Sequence, residues 1–170
     1  MGKNTGVLVS IVMGSDSDLP VMKEAIAILD DFNIPYEVFL TSAHRSPERT
    51  TKFAREAANR GIKVIIAGAG AAAHLAGVIA SQTTLPVIGI PLDATSLNGL
   101  DALLSTAQMP GGVPVATMAI GKAGAKNGAL MAVRILALYN EDLREKLNAY
   151  IERMAKDIEE KQDDLEWQTS

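Results

Sequence analysis

The sequence predicts an α/β architecture, a three-layer parallel sheet with helices on both faces, and three observations predict it. Unbroken apolar runs of strand length, such as VIIA at 64–67, lack the polar spacers of half-exposed strands. These runs alternate strictly with segments of helical periodicity. The connections between them are short, as parallel strands joined by crossover helices require.

In chain order, buried strands are expected at residues 7–13, 35–41, 62–67, 86–90 and 113–120. The first intervening helix carries Leu19, Met22, Ile26 and Leu29 at steps of three and four, with Lys23, Glu24 and Asp30 facing outward. Ser46-Pro47-Glu48 reads as a helix start: a cap donor, a proline at the first helical position and an acid near the positive end. That helix runs to about Asn59, where Gly61 stops it. Residues 98–112 read as an amphipathic helix and a loop. Residues 141–164 form a long helix with Leu143, Leu147, Tyr150, Ile151, Met154 and Ile158 on one stripe and charge on the other face. The stripe either folds back on its own domain or, since a helix this long exceeds what a small domain needs covered, is at least as readily buried on a neighbouring subunit.

One domain is expected over 1–170, with its core at about 7–139 and no linker or internal repeat. Five such strands favour the flavodoxin-like order 2-1-3-4-5. The loops after strands 1, 2 and 3 would then converge at the switch point, with His44 and His74 about two strand spacings, or roughly 10 Å, apart before their side chains reach inward. These are the only two histidines.

Composition removes several functional classes. The net charge of −4, from 16 basic and 20 acidic residues, offers no basic field for nucleic acid. With no cysteine, disulfides, thiolate metal sites and thiol nucleophiles are excluded. No apolar stretch reaches spanning length and no secretory leader is read, so no membrane association and a cytoplasmic setting are expected. No metal-ligand spacing occurs.

Three loops could carry chemistry. GSDSD at 14–18 is either a turn in which Ser17 or Asp18 caps the next helix, or a ligand loop in which Ser15 and Ser17 meet a phosphate and Asp18 meets ribose hydroxyls. SAHRSP at 42–47 puts Ser42, His44, Arg45 and a helix start together, which suits an anionic group beside a titratable imidazole, though a lone histidine at a strand end is often only a surface group. GAGAAAH at 68–74 only superficially matches a dinucleotide fingerprint, since the third glycine and the later acid are missing. It makes better sense as a floor for a flat ring, or as a place where helix and sheet pack closely. GKAGAKN at 121–127 lacks the spacing of a triphosphate loop.

Together MGSDSDLPVM, SAHRSPER, IIAGAGAAAHLAG, LPVIGIPL and LNGLDALLSTAQMPGGVPVATMAIGKAGAKNGALMAVRIL, in order over about 7–138, closely resemble the class I N5-carboxyaminoimidazole ribonucleotide mutases. These are the bacterial branch of the aminoimidazole ribonucleotide carboxylase family in purine biosynthesis. The resemblance implies a flavodoxin-like fold, a homo-octamer with sites at subunit contacts, a small-molecule ribonucleotide substrate and no metal or organic cofactor. It also implies isomerisation of the substrate by moving a carboxylate from N5 to C4. By the same resemblance His44 is the catalytic histidine; Ser15, Asp18 and Arg45 contact substrate; His74 is a second active-site histidine; and Ser17 and Ser42 lie near the ribotide phosphate. Two positions depart from the family pattern: Ala71 stands where a glycine is usual and Ala76 where a proline is usual. If position 71 needs positive φ, the alanine costs roughly 1–2 kcal/mol, and the loop would sit differently or move more. The rival readings are a class II carboxylase using the unmodified ribotide and free carbon dioxide, a non-catalytic ribotide-binding module, and a nicotinamide or flavin oxidoreductase, the last disfavoured by the displaced glycines.

Overall fold

Residues 6–163 of the chain are described by a computed structural model. Residues 1–5 and 164–170 lie outside the description, among them Asp164, the expected last residue of the C-terminal helix. The order is β1 (Val9–Met13), α1 (Leu19–Asp31), β2 (Tyr36–Leu40), α2 (Pro47–Ala57), β3 (Val64–Gly70), α3 (Leu75–Ala80), β4 (Val87–Leu92), α4 (Leu100–Ala107), β5 (Ala116–Thr117), α5 (Gly121–Ala137) and α6 (Glu141–Asp163). All strand pairs are parallel and the sheet runs β2-β1-β3-β4-β5, the expected order.

The two-residue period of the strands divides the core between the sheet's faces. Val9, Ile11 and Met13 of β1, with Val64 and Ile66 of β3, pack against α1, α5 and the first half of α6. Val12, Ile65 and Ala67 point the other way and pack against α2 and α3. Because both faces are covered, β1, β3 and β4 are apolar apart from Ser10 of β1, and β1 and β4 are buried over their full length. Among the described residues, no helix is long and apolar enough to cross a membrane.

Two expectations need correction. The fifth strand has two residues instead of eight, pairing only through Ile88 with Ala116 and Gly89 with Thr117. It lies at the sheet edge, and Pro114 cannot donate to a ladder, so apolar content alone did not make 113–120 a strand. The third strand continues to Gly70, three residues past Ala67. Gly70 is strand residue and close-packing device at once, since a Cβ there would collide with the Cβ of Ala94 after β4. The helix and loop expected within 98–112 are present, as α4 and the residues after it.

Helix α6 divides near its middle. Leu143 and Leu147 are buried in the main core, and the Tyr150 ring sits 5.6 Å from that of Phe32. Beyond them Ile151, Met154 and Ile158 are exposed.

Candidate active site

The carboxyl ends of β1, β2 and β3 bring the three loops to one rim. After β1, Ser15 rather than Ser17 or Asp18 is the cap. Its hydroxyl accepts from the Ser17 N–H at 3.3 Å, and Asp18 Oδ2 accepts from the Ser15 N–H at 3.0 Å. This reciprocal capping satisfies donors at both ends of the turn. It also holds three candidate ligand-binding side chains in a fixed relation, since Ser17 Oγ donates to Ser15 Oγ at 2.8 Å. Burial pushes the Asp18 carboxyl above the usual carboxylate range, against the opposing pull of the Ser15 and Gly14 N–H groups and the Arg45 cation.

After β2, Ser46 occupies the N-cap position of α2 but makes no side-chain cap, contrary to expectation. Its hydroxyl turns back into the loop, accepting from the Ser42 N–H at 2.9 Å and donating to the Ser42 carbonyl at 3.1 Å, and it lies 3.2 Å from Thr41 Oγ1. Ser42 Oγ in turn accepts from the Arg45 N–H at 3.1 Å. The loop is thus cross-braced by its own hydroxyls. Arg45 Nη2 donates to the Gly14 carbonyl at 2.9 Å and joins this loop to the first.

After β3, Ala71 takes the left-handed conformation at φ +54°, the geometry for which the family's glycine is suited. The alanine therefore bears the conformational cost of a positive φ. Ala76 is buried in the first turn of α3, where a proline would be equally compatible. This loop delivers His74 to His44: Nδ1 of His74 lies 2.8 Å from Nε2 of His44, the ring centroids are 4.9 Å apart and the planes meet at 74°.

Six of the seven expected site residues, Ser15, Ser17, Asp18, Ser42, His44 and Arg45, line one cleft of about 330 Å³. His74 reaches it only through His44. The floor is Ala69, Gly70, Ala71 and Ala72, whose small side chains permit a flat ring to approach the backbone. A second depression of about 320 Å³ shares Gly14, Ser15, Ser42 and Arg45 with the first and adds Leu40, Thr41, Ser46 and the Asp16 carboxylate. Hydroxyls around a guanidinium suit an anion. Leu75 and Ala94, also in the cleft wall, were missed; extending the strand-end rule to the loop after the fourth strand, at the same sheet edge, could have found Ala94. Residues 121–127 instead open α5 and pack Gly121, Gly124 and Ala125 inward. Among the described residues, no group of three His, Asp or Glu side chains could hold a metal ion.

Two imidazoles in direct contact, a cation with hydroxyls, and a buried carboxylate thus surround one small hollow. Residues 8–157 match the family model described as AIR carboxylase. The N5-carboxyaminoimidazole ribonucleotide mutase of Pyrococcus horikoshii is 57% identical over 164 residues, covering 96% of this chain and 92% of that protein. The enzyme of the same name from Bacillus subtilis is 55% identical, covering 93% and 98%. The crystal structure of Treponema denticola PurE superposes with a TM-score of 0.84 at 30% identity, covering 94% of this chain and 99% of that one.

Proposed function

This chain belongs to the AIR carboxylase family, and on that footing we propose that it is an N5-carboxyaminoimidazole ribonucleotide mutase, an isomerase of purine biosynthesis. It moves a carboxylate from the exocyclic N5 of an aminoimidazole ribotide to ring carbon C4. The observation that carries this reading is the direct contact of His44 with His74 at the rim of a cleft also lined by Arg45, Asp18 and the serines.

Each group has a role that its chemistry supports. Arg45, with Ser15, Ser17 and Ser42, holds the phosphate; Asp18 accepts from the ribose hydroxyls; the Ala69–Ala72 floor takes the imidazole ring. Phosphate and ribose contacts lie away from the reacting atoms, so they fix position. Protonation of N5 releases carbon dioxide from the carbamate. The enamine-like C4 then attacks it within the cleft, and retention of the gas replaces a bimolecular encounter with one between neighbours. The new C4 carries both a proton and a carboxylate. His44 takes that proton, and the C–H electron pair restores the aromatic ring. The cycle uses one proton at nitrogen and returns one from carbon, so no co-reactant is consumed. The same reading makes the enzyme cofactor-independent and cytoplasmic, and its working particle a homo-octamer in which the whole chain serves as one catalytic domain.

The test is isomerisation of the carbamate by purified protein without ATP, run beside a reaction with the unmodified ribotide and bicarbonate. Faster turnover of the carbamate is expected. Turnover of only the ribotide and bicarbonate would transfer the chain to the class II carboxylase reading, and ligand binding without either reaction to the non-catalytic one. His44→Asn is expected to bind ribotide and lose turnover; substantial retained turnover would remove His44 from the role.

A further inference from the structure

The serine hydroxyls proposed to hold the substrate phosphate are engaged before any substrate arrives. Ser17 Oγ donates to Ser15 Oγ at 2.8 Å, and Ser15 Oγ donates in turn to Asp16 Oδ1 at 3.2 Å. The Ser17 N–H, 3.1 Å from the same Oδ1, brings that oxygen a second donor, which is shared with Ser15 Oγ at 3.3 Å. Asp16 is exposed and, with Ser15, Ser42 and Arg45, lines the second depression. A carboxylate is thus the terminal acceptor among donors that suit an anion. Resting on the reading of Arg45 and the serines as the phosphate site, we propose that Asp16 is a specificity-determining residue: its carboxylate occupies the anion donors of the first loop, so a phosphate binds by displacing it.

Hydrogen counting and charge give the reason. A serine hydroxyl has one hydrogen to donate. While that of Ser15 points at Asp16 and that of Ser17 at Ser15, neither serves a phosphate, so a phosphate oxygen that takes the Ser15 hydrogen takes it from Asp16. The carboxylate only accepts and offers the phosphate nothing in exchange. The two like charges, held on one short loop, also repel. Every anion meets this cost. A bare phosphate has only Arg45 and the hydroxyls to offset it, whereas a ribotide adds the Asp18 contact and burial of its ring on the Ala69–Ala72 floor. Asp16 therefore weakens all phosphate binding by a similar factor, and the ligand that still fills the cleft is the one that also carries the sugar and the ring. A purely supporting role, in which the carboxylate aims the serines at the phosphate, predicts the opposite sign: removal of Asp16 would then weaken binding.

Inorganic phosphate, titrated calorimetrically into the full-length protein, reads the proposal without turnover. Asp16→Asn keeps an oxygen and removes the charge, and Asp16→Ala removes the acceptor altogether. Both should bind phosphate about 10-fold more tightly than the parent, on the scale of one hydrogen bond to a charged group. The KM for the carbamate should fall alongside, and kcat should not rise, because the gain is shared by ground state and transition state. Asp31→Asn removes an exposed carboxylate at the far end of α1 and should leave phosphate binding as it was. Unchanged or weaker phosphate binding in either Asp16 variant would overturn the proposal. So would an equal gain in Asp31→Asn, which would mark a general effect of net charge, or an absence of phosphate binding in all the proteins. Tighter phosphate binding in Asp16 variants of a protein that turns over no carbamate would overturn the functional reading and leave the assignment of Asp16 standing.

Discussion

The Arg45 guanidinium donates to the Gly14 carbonyl at 2.9 Å, so the loop after β2 is tied to the loop after β1 by the same side chain proposed to hold the substrate phosphate. One of its nitrogens is spent on the tie and the rest of the planar fork remains for an anion. Lysine keeps the charge and loses this division of labour, because a single ammonium cannot brace the loops and present two parallel donors. Arg45→Lys is therefore expected to raise KM by about 10- to 100-fold, the cost of one charged hydrogen bond, with a smaller change in kcat. Equal KM values for the two proteins, measured by initial rates on the carbamate, would remove Arg45 from phosphate binding.

Asp18 trades stability for binding. Its carboxyl is pushed up chiefly by burial, and the neighbouring N–H groups and Arg45 only partly offset this. A raised folded-state pKa means that the folded protein holds the proton more firmly than the unfolded chain. The group thus favours folding below the ordinary value of about 3.9, and that contribution is lost as pH rises through the folded value. At neutral pH the ionised carboxylate is a net cost. Asp18→Asn keeps an oxygen for the Ser15 N–H and removes the buried charge. Its Tm at pH 7 should exceed that of the parent, by about 2–4 °C for each kcal/mol recovered, and the difference should close below about pH 4, while KM rises. A lower Tm at pH 7 in a pH-resolved melting series would contradict this account.

The layers were legible because they follow from periodicities and from short parallel connections, which act over a few residues; the strand order, and with it the meeting of three loops, was favoured by the fold class and not read from the residues. The gathering of six of the seven candidate residues along one cleft was legible for a related reason: chemistry-bearing side chains lie just past strand ends, where the topology collects them. What escaped was settled by neighbours distant in sequence. Ser46 looks like a cap, but Thr41 and Ser42 bid for its hydroxyl and win. Residues 113–120 look like a strand, but only Ile88 and Gly89 are there to pair with it. The direct His44–His74 bond needed inward rotation of both side chains from backbones expected about two strand spacings, or roughly 10 Å, apart, and rotamers are not read from spacing.

Ala71 gives a prediction that concerns the loop and not the ligand. At φ +54° an L residue with a Cβ costs about 1–2 kcal/mol, and a glycine costs about 0.4–1 kcal/mol more in unfolded-chain entropy. Ala71→Gly should therefore stabilise the protein by roughly 0.5–1 kcal/mol, the difference between these terms. The Tm gain would be a few degrees at most, with the histidine contact and KM little changed. Ala71→Val, β-branched at the same φ, should destabilise it. A glycine variant that melted below the parent in differential scanning calorimetry would show that position 71 is not under the strain its backbone angle implies.

The C-terminal helix separates folding from assembly. Leu143 and Leu147 are buried and Tyr150 meets Phe32 within the same chain, whereas Ile151, Met154 and Ile158 are 41%, 44% and 66% exposed. Three large apolar side chains on one stripe, past the point where the domain needs cover, favour a neighbouring subunit as their partner. Removal of residues 151–170 should accordingly leave the α/β core folded, with its cooperative melting transition retained. It should also reduce the particle mass seen by light scattering, the proposed octamer of 18.0 kDa chains giving way to a smaller assembly. If the homo-octamer completes each cleft, turnover should fall with the loss of mass and recover as protein concentration drives reassembly. A truncated chain that kept the full particle mass would place the assembly contacts elsewhere on the fold and leave the stripe to some other partner.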